Sequence, residues 1–306
     1  MGGTRAGGPG DIAGVNAAAD SLARAGGPAD AYLRKRERSE NFPVALRVLP
    51  SDRRRHLVAV YDVARVIDDL GDDAPGDRRA QLREFADDLF TIWDGGEPRA
   101  PVLRRLAETV TACGLGPRPF LDLIEANLRD QEITSYPAYA DLLDYCALSA
   151  NPVGRIVLAV FGAATPDREE LSDRICSGLQ IIEHCQDIVE DRRAGRIYLP
   201  LEDLDRFGVR PADLDAARPS PALRRLVAFE AGRAAALVDS GLPLLRQLRG
   251  WARLAVTGYA AGGRAAVVAL RRAGWDAVTE RPRARRRDLI AQLVAVTAGR
   301  RLPSDG

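Results

Sequence analysis

The sequence predicts an all-α chain that folds as a single domain, with helices packed around a central cavity. Three observations carry this. Apolar residues recur at three- and four-residue spacing along most of the chain, and no alternating strand, Asn-Gly hairpin or repeat of solenoid length breaks that pattern. Glycine and proline punctuate it at helix-sized intervals. Two acid-rich stretches, around Asp68 and around Asp187, fall on largely apolar helices and read as two walls of one cavity.

Taken in order, residues 1–28 are rich in Gly and Ala and are expected to be mostly disordered, with a short helix near Ala17–Arg24. The main helical domain is expected over 29–290, with 291–306 holding the end of the last helix and a tail. A helix over 29–39 stops at Asn41-Phe42-Pro43. Ser51 is the expected N-cap of the next helix, which passes through Leu57, Val58, Val60 and Tyr61 and is ended by Gly71 and Ala74-Pro75-Gly76. Helices are predicted over 77–93, 99–113 and 117–132, separated by Gly95-Gly96 and by Gly114-Leu115-Gly116.

Pro137 opens a further helix that carries Tyr145. Asn151-Pro152 marks a kink or a fresh start. Val153–Phe161 is apolar on nearly every side, which suits the centre of a bundle. Asp167 is read as the cap of a long helix over 168–193, and Ile197–Pro200 leaves it in extended form. A short helix over Glu202–Phe207 follows, then helices over 219–248, 251–273 and 284–299.

Composition excludes several function classes. The formal net charge of +1 implies no bulk attraction to nucleic acid or to an anionic membrane. No apolar run approaches the roughly 20 residues of a membrane span. The N-terminus lacks the basic start and apolar block of a secretory signal, so a cytoplasmic protein is expected. Cys113, Cys146, Cys176 and Cys185 form no CxxC pair and read as reduced core residues. GGRAA at 262–266 follows no strand and is not GxGxxG, and neither GxSxG nor HExxH occurs.

The chemistry lies in the acids. Glu183, Asp187 and Asp191 stand four residues apart, so on one helix they share a stripe and repel, each pair by a few tenths of a kcal/mol. The same helix buries Ile181, Ile182, Cys185 and Ile188. Asp68, Asp69, Asp72 and Asp73 form the second cluster, with Arg65 one turn upstream. Oxygen-rich walls with nearby arginine suit Mg²⁺ ions that bridge to a diphosphate and draw it away as a leaving group. Solvated acidic faces answered by Arg192, Arg193 and Arg196 are the plain alternative.

These clusters, with SENFPVALRVLP (39–50), YCALSANPVG (145–154) and GRIYLP (195–200), resemble the squalene/phytoene synthase family from about Tyr32 to Arg286. SENFPV and SANPVG are most similar to its hydroxysqualene synthase branch in hopanoid biosynthesis. The resemblance implies an isoprenoid-synthase-like helical fold. It implies a Mg²⁺-dependent enzyme that converts presqualene diphosphate and water to hydroxysqualene and diphosphate, without a nicotinamide cofactor. Head-to-head condensation of prenyl diphosphates to squalene, dehydrosqualene or phytoene is the alternative. A non-catalytic assembly protein on the same fold is a third reading, against which both acid clusters stand.

By the same resemblance, Asp68, Asp69, Asp72, Asp187 and Asp191 are expected metal ligands, with Glu183 standing where many relatives place an Asn. Arg65 is expected to reach the phosphates, or to pair with Asp68 or Asp69 in its own helix, or both. Arg196, Arg281 and Arg264 are further diphosphate candidates; Arg264 stands where some relatives carry a Tyr, and Tyr259 could reach in instead. Tyr145 is expected near the reacting carbons as a proton donor, acceptor or cation-stabilising ring, with a satisfied core Tyr as the alternative. Ser39, Asn41, Phe42 and Tyr61 are the expected substrate-binding residues. His184 is read as packing or surface. The lipid character of substrate and product implies peripheral contact with the inner face of the membrane and association with other enzymes of the pathway. The basic segment 281–287 is a candidate contact, or else simply a helix start.

Overall fold

The computed structural model describes residues 49–300 and residue 302. The expectations placed on residues 1–48, including the helix over 29–39 and the roles of Ser39, Asn41 and Phe42, lie outside the described residues.

The described chain is all-α. Its helices are α1 (Ser51–Asp72), α2 (Arg78–Phe90), α3 (Pro101–Cys113), α4 (Arg118–Arg129), α5 (Tyr139–Ser149), α6 (Asn151–Val160) and α7 (Pro166–Gln186). They continue as α8 (Ile188–Arg193), α9 (Leu201–Phe207), α10 (Pro221–Gly241), α11 (Leu244–Gln247), α12 (Gly250–Arg272) and α13 (Arg286–Thr297). The β pairing among the described residues is a single bridge between Ser135 and Ile197.

Two apolar cores form. One collects Val63, Ile67, Leu82, Leu103 and Phe120 from α1 to α4. The other collects Leu142, Ile181, Ile182, Leu226 and Leu270 from α5, α7, α10 and α12. The short α6 belongs to both: Ile156, Val157 and Val160 face the first core and Leu158 the second. That is why α6 is apolar on nearly every side, as its sequence predicts. The axis of the second half is the antiparallel pair α7 and α10. A Cβ at Gly178 would stand 2.7 Å from the Ala234 carbonyl oxygen and 2.6 Å from Val238, so this seam closes only on a residue without a side chain.

Several boundaries differ from expectation. Ser51 is the first residue of α1, Pro50 holds the cap position, and no side chain caps the helix. Gly71 is the penultimate residue of α1, which ends at Asp72, and Asn127 of α4 packs where a Cβ at Gly71 would be. Asp167 is not a cap: Thr165 holds that position, Pro166 opens the helix, and Asp167 sits in the first turn. The helix predicted over 219–248 stops at Gly241, because Pro243 has no N–H to return to the Asp239 carbonyl. The helix predicted over 168–193 breaks at Asp187, with φ −105° and ψ 17°. No glycine or proline causes that break. Gln186 donates to the Pro282 carbonyl at 2.5 Å and Asp187 pairs with Arg281, so two adjacent residues are tied to the segment after α12.

Candidate active site

A cavity of about 270 Å³ separates the two cores. Its walls are Leu57, Val60, Tyr61 and Ala64 of α1, Ile175, Cys176 and Leu179 of α7, Val153 and Val157 of α6, and Val256 and Tyr259 of α12. Asp68 and Glu183 close one end. Leu57 and Ser172 mark the other, each eleven residues upstream on its own helix, or about 16 Å away at 1.5 Å rise per residue. The cavity is therefore a mostly apolar slot with acid at one end. The sequence expectation that α1 and α7 form two walls of one cavity is met in the fold.

Each acid is held by a different neighbour. Arg65 meets Asp69 at 2.8 Å across one turn of α1, the pairing foreseen within its own helix. Asn127 donates weakly to Asp68 at 3.4 Å. Arg196, just past α8, meets Asp72 at 2.9 Å and so ties the two acid-bearing segments together. Arg281 grips both oxygens of Asp187, at 2.5 and 2.8 Å. The Nδ1 of His184 lies 3.6 Å from Asp191. Glu183, Asp187 and Asp191, one stripe on a regular helix, are thus sent to three destinations: the cavity, Arg281 and His184. Arg196 and Arg281 are partly buried members of the acid group, not surface arginines.

Burial raises the Asp187 carboxyl to about 8; Arg281 opposes this, while Glu190, Asp191 and Glu183 add to it. Burial works against the charge of Arg196, but Tyr198, Asp130 and Asp72 more than offset it and keep the guanidinium protonated.

Two of the expected site residues stand apart from the cavity walls. Arg264 is fully buried between α10 and α12, and its Nε faces Asp239 at 3.7 Å. Asp239 lies two residues before Gly241, which packs on Leu171 and Ile175, some twelve residues down α7 from Asp187. Tyr145 is a buried tyrosine whose hydroxyl donates to Asp130 at 2.7 Å and lies 3.5 Å from the Tyr198 hydroxyl. The satisfied core Tyr is the arrangement observed, and Tyr145 is not among the cavity walls. Burial first, then Tyr198 and Asp130, push its hydroxyl well above the ordinary tyrosine range.

The sequence reading missed the aromatic nest that holds it. Tyr136, Tyr145 and Tyr198 have centroids 5.3–5.7 Å apart, and the His184 ring stacks on Tyr198 at 3.8 Å. His184 is thus packing, not surface, and sits behind the acid group. Asp130 and Asn127 were also missed; nothing at the end of α4 marks them, since neither repeats a charge at helical spacing. Tyr198 lies inside GRIYLP, so that segment was the available signal.

The donors at the acid end are all carboxylate oxygens, which suit a hard divalent cation. Among the described residues no three metal-ligating side chains converge on one point. A closed protein cage does not fit this arrangement. A cation that takes one or two carboxylates and completes its shell from a phosphate ligand and water does fit.

Comparison with known proteins agrees with this geometry. The family model of squalene/phytoene synthases matches residues 35–288. The hydroxysqualene synthase of Rhodopseudomonas palustris is 35% identical over 216 residues, covering 70% of this chain and 73% of that protein. The presqualene diphosphate synthase of the same organism is 34% identical over 188 residues, covering 59% of this chain and 67% of its own. The crystal structure of a squalene synthase from Alicyclobacillus acidocaldarius superposes with a TM-score of 0.73 at 38% identity, covering 87% of this chain and 97% of that one. With the acid-ended slot, the paired arginines and the shared helical fold in agreement, the chain belongs to the squalene/phytoene synthase family.

Proposed function

We propose that this protein converts presqualene diphosphate and water to hydroxysqualene and diphosphate, with Mg²⁺, in squalene and hopanoid formation. The observation that carries the reading is the cavity itself: an apolar slot, closed at one end by Asp68 and Glu183, with Arg65, Arg196 and Arg281 in the surrounding acid group. The similarity to hydroxysqualene synthases supports the choice of reaction.

Asp68, Asp69, Asp72, Glu183, Asp187 and Asp191 are the residues that would hold the metal. Bound there, Mg²⁺ would neutralise diphosphate oxygens and ease departure of the leaving group. The arginines supply the rest of the charge. Each now pairs with a carboxylate (Arg65 with Asp69, Arg196 with Asp72, Arg281 with Asp187), so an arriving diphosphate would meet guanidinium groups that are already positioned, and the carboxylates they release are among those that would hold the metal. The carbon–oxygen bond breaks with its electron pair leaving on the diphosphate. The cyclopropylcarbinyl cation that results rearranges to the 1–1′ linked skeleton. Water adds to the cation, and one proton of the resulting oxonium passes to the departing diphosphate. Apolar walls from Leu57 to Val256 hold the prenyl chains and exclude other water until that point.

Head-to-head condensation is the second reading, favoured by the 34% identity to a presqualene diphosphate synthase. A product assay separates the two. The full chain with Mg²⁺ and no nicotinamide receives presqualene diphosphate in one tube and farnesyl diphosphate in another, with mass spectrometry of the extract. Hydroxysqualene from the first tube alone supports the proposal; presqualene diphosphate or a hydrocarbon from the second replaces it with condensation.

The domain over 29–290 is the catalytic unit in this reading. No helix among the described residues is long and apolar enough to cross a membrane. We place the protein on the cytoplasmic side, in peripheral contact with a membrane that holds its lipids.

A further inference from the structure

The basic segment 281–287 is only partly free to meet a membrane. Arg281 is clamped on Asp187, and the Pro282 carbonyl accepts from Gln186. A different corner has the required composition. At the start of α12, Trp251 and Leu254 are 44% and 43% exposed. Arg246, Arg249 and Arg253 surround them, all exposed, and their side chains make no ion pair among the described residues. The three stand within eight residues of one another, beside two exposed apolar side chains. No acid occurs in the sequence between Asp239 and Asp276. The corner is built by the turn at Gly250, whose φ of 54° suits a residue without Cβ.

We propose that this corner docks on an anionic lipid surface, with Trp251 and Leu254 in the interface and the three arginines among the headgroups. Tryptophan is the side chain most at home where one end is apolar and the other wet. A second copy of this chain is a poor occupant, since a twofold contact would set three unanswered arginines against themselves. Orientation adds a further argument. Val256, one turn along α12, lines the cavity, and Gly263, two turns further, packs on Leu179. Trp251 therefore lies beyond the end of the slot away from Asp68 and Glu183. Docked this way, the apolar end of the cavity faces the bilayer. The acid end then lies more than one Debye length, about 8–10 Å, from the headgroups and is spared their repulsion. Only this orientation rests on the proposed prenyl substrate; the docking itself does not.

Vesicle flotation of the full chain without substrate tests it, so its outcome is read apart from any catalytic assay. The expected result is binding to phosphatidylglycerol/phosphatidylcholine vesicles that weakens with salt and is lost on pure phosphatidylcholine. Trp251→Ser with Leu254→Ser should weaken it at least tenfold, and each of Arg246→Gln, Arg249→Gln and Arg253→Gln roughly fivefold. Thermal melting and the detergent-phase product assay should match the parent, which shows that these variants fold. Unchanged binding in the Trp251/Leu254 variant overturns the proposal. So does loss only in Ile290→Ser with Val294→Ser, which would move docking to α13. Concentration-dependent self-association that the Trp251/Leu254 variant abolishes would assign the corner to a second copy and overturn it as well.

Discussion

Arg281 grips Asp187 through both carboxylate oxygens, its Nε at 2.5 Å from one and its second nitrogen donating at 2.8 Å to the other. The two residues are 94 positions apart in sequence, and their contact coincides with the break between α7 and α8. One hydrogen bond and a second close charge contact fix where Asp187 points before any ligand arrives. Removing these contacts should therefore harm the reaction more than the fold. Arg281→Ala is expected to lower kcat/KM for presqualene diphosphate about a hundredfold, or about 2.7 kcal/mol. Arg281→Lys keeps the charge without the guanidinium and should fall between that variant and the parent. Steady-state kinetics of all three proteins check the order; equal activity of Arg281→Ala and parent would remove Arg281 from the site.

Glu230, with no exposed surface, and Asp203, 4% exposed, share one guanidinium, that of Arg233, at 2.6–2.8 Å. Among the described residues the only other cation near Asp203, Arg206 at 3.9 Å, is mostly exposed, so Arg233 carries most of the charge for two buried carboxylates and a proton on the pair is favoured. Burial, against the pull of Arg233 and with help from Asp203, raises the Glu230 carboxyl from 4.5 to about 7. The folded state then binds this proton more tightly than the unfolded chain. The resulting stabilisation is complete below pH 4.5 and is lost as pH rises toward 7, about 3 kcal/mol in all. Glu230→Gln mimics the protonated form and leaves Arg233 and Asp203 as a matched pair. Its melting temperature should equal the parent's near pH 4 and exceed it at pH 8. Parallel melting curves across that range would show that Glu230 is ionised throughout.

The α7–α10 seam separates two kinds of glycine. At Gly178 an added methyl meets the Ala234 carbonyl oxygen at 2.7 Å and the Val238 backbone nitrogen at 3.0 Å, neither of which can move alone. At Gly232, inside α10, nothing lies within 4 Å. Gly178→Ala should destabilise by about 2 kcal/mol through overpacking. Gly232→Ala should stabilise by about 0.5–1 kcal/mol, through helix propensity and a less flexible unfolded chain. Opposite shifts of the urea midpoint at unchanged slope are the expected reading.

Tyr145 and Asp130 share one hydrogen bond in the buried nest. Tyr145→Phe leaves an Asp130 oxygen without its donor, at a cost of about 1–3 kcal/mol. Asp130→Asn disturbs the same bond from the other side. The double variant should be little less stable than the worse single one, giving an interaction energy above about 0.5 kcal/mol. Additive losses would mean that the two side chains act independently.

Much of this protein was legible in its sequence. The apolar period of α6, the start at Asn151, the short helix before Gly208 and the two acid clusters are local features, written in neighbouring residues. Their order, with the GRIYLP segment, was enough to indicate the family. Helix breaks without a local cause were not legible. Nothing near Asp187 signals a break, because the residues that impose it, Arg281 and Pro282, arrive from beyond α12.

Partner choice belongs to the tertiary structure alone. Periodicity says that Glu183, Asp187 and Asp191 can share a face, but not that one lines a cavity while the others meet Arg281 and His184. The same holds for Arg264, which the sequence sets near the phosphates and the packing of α10 on α12 turns to Asp239. The physical reason is range. Helix formation and apolar period depend on residues within a turn or two. Which charge meets which depends on crossings set by side-chain volume, such as the close approach at Gly178, and those are decided only when the helices pack.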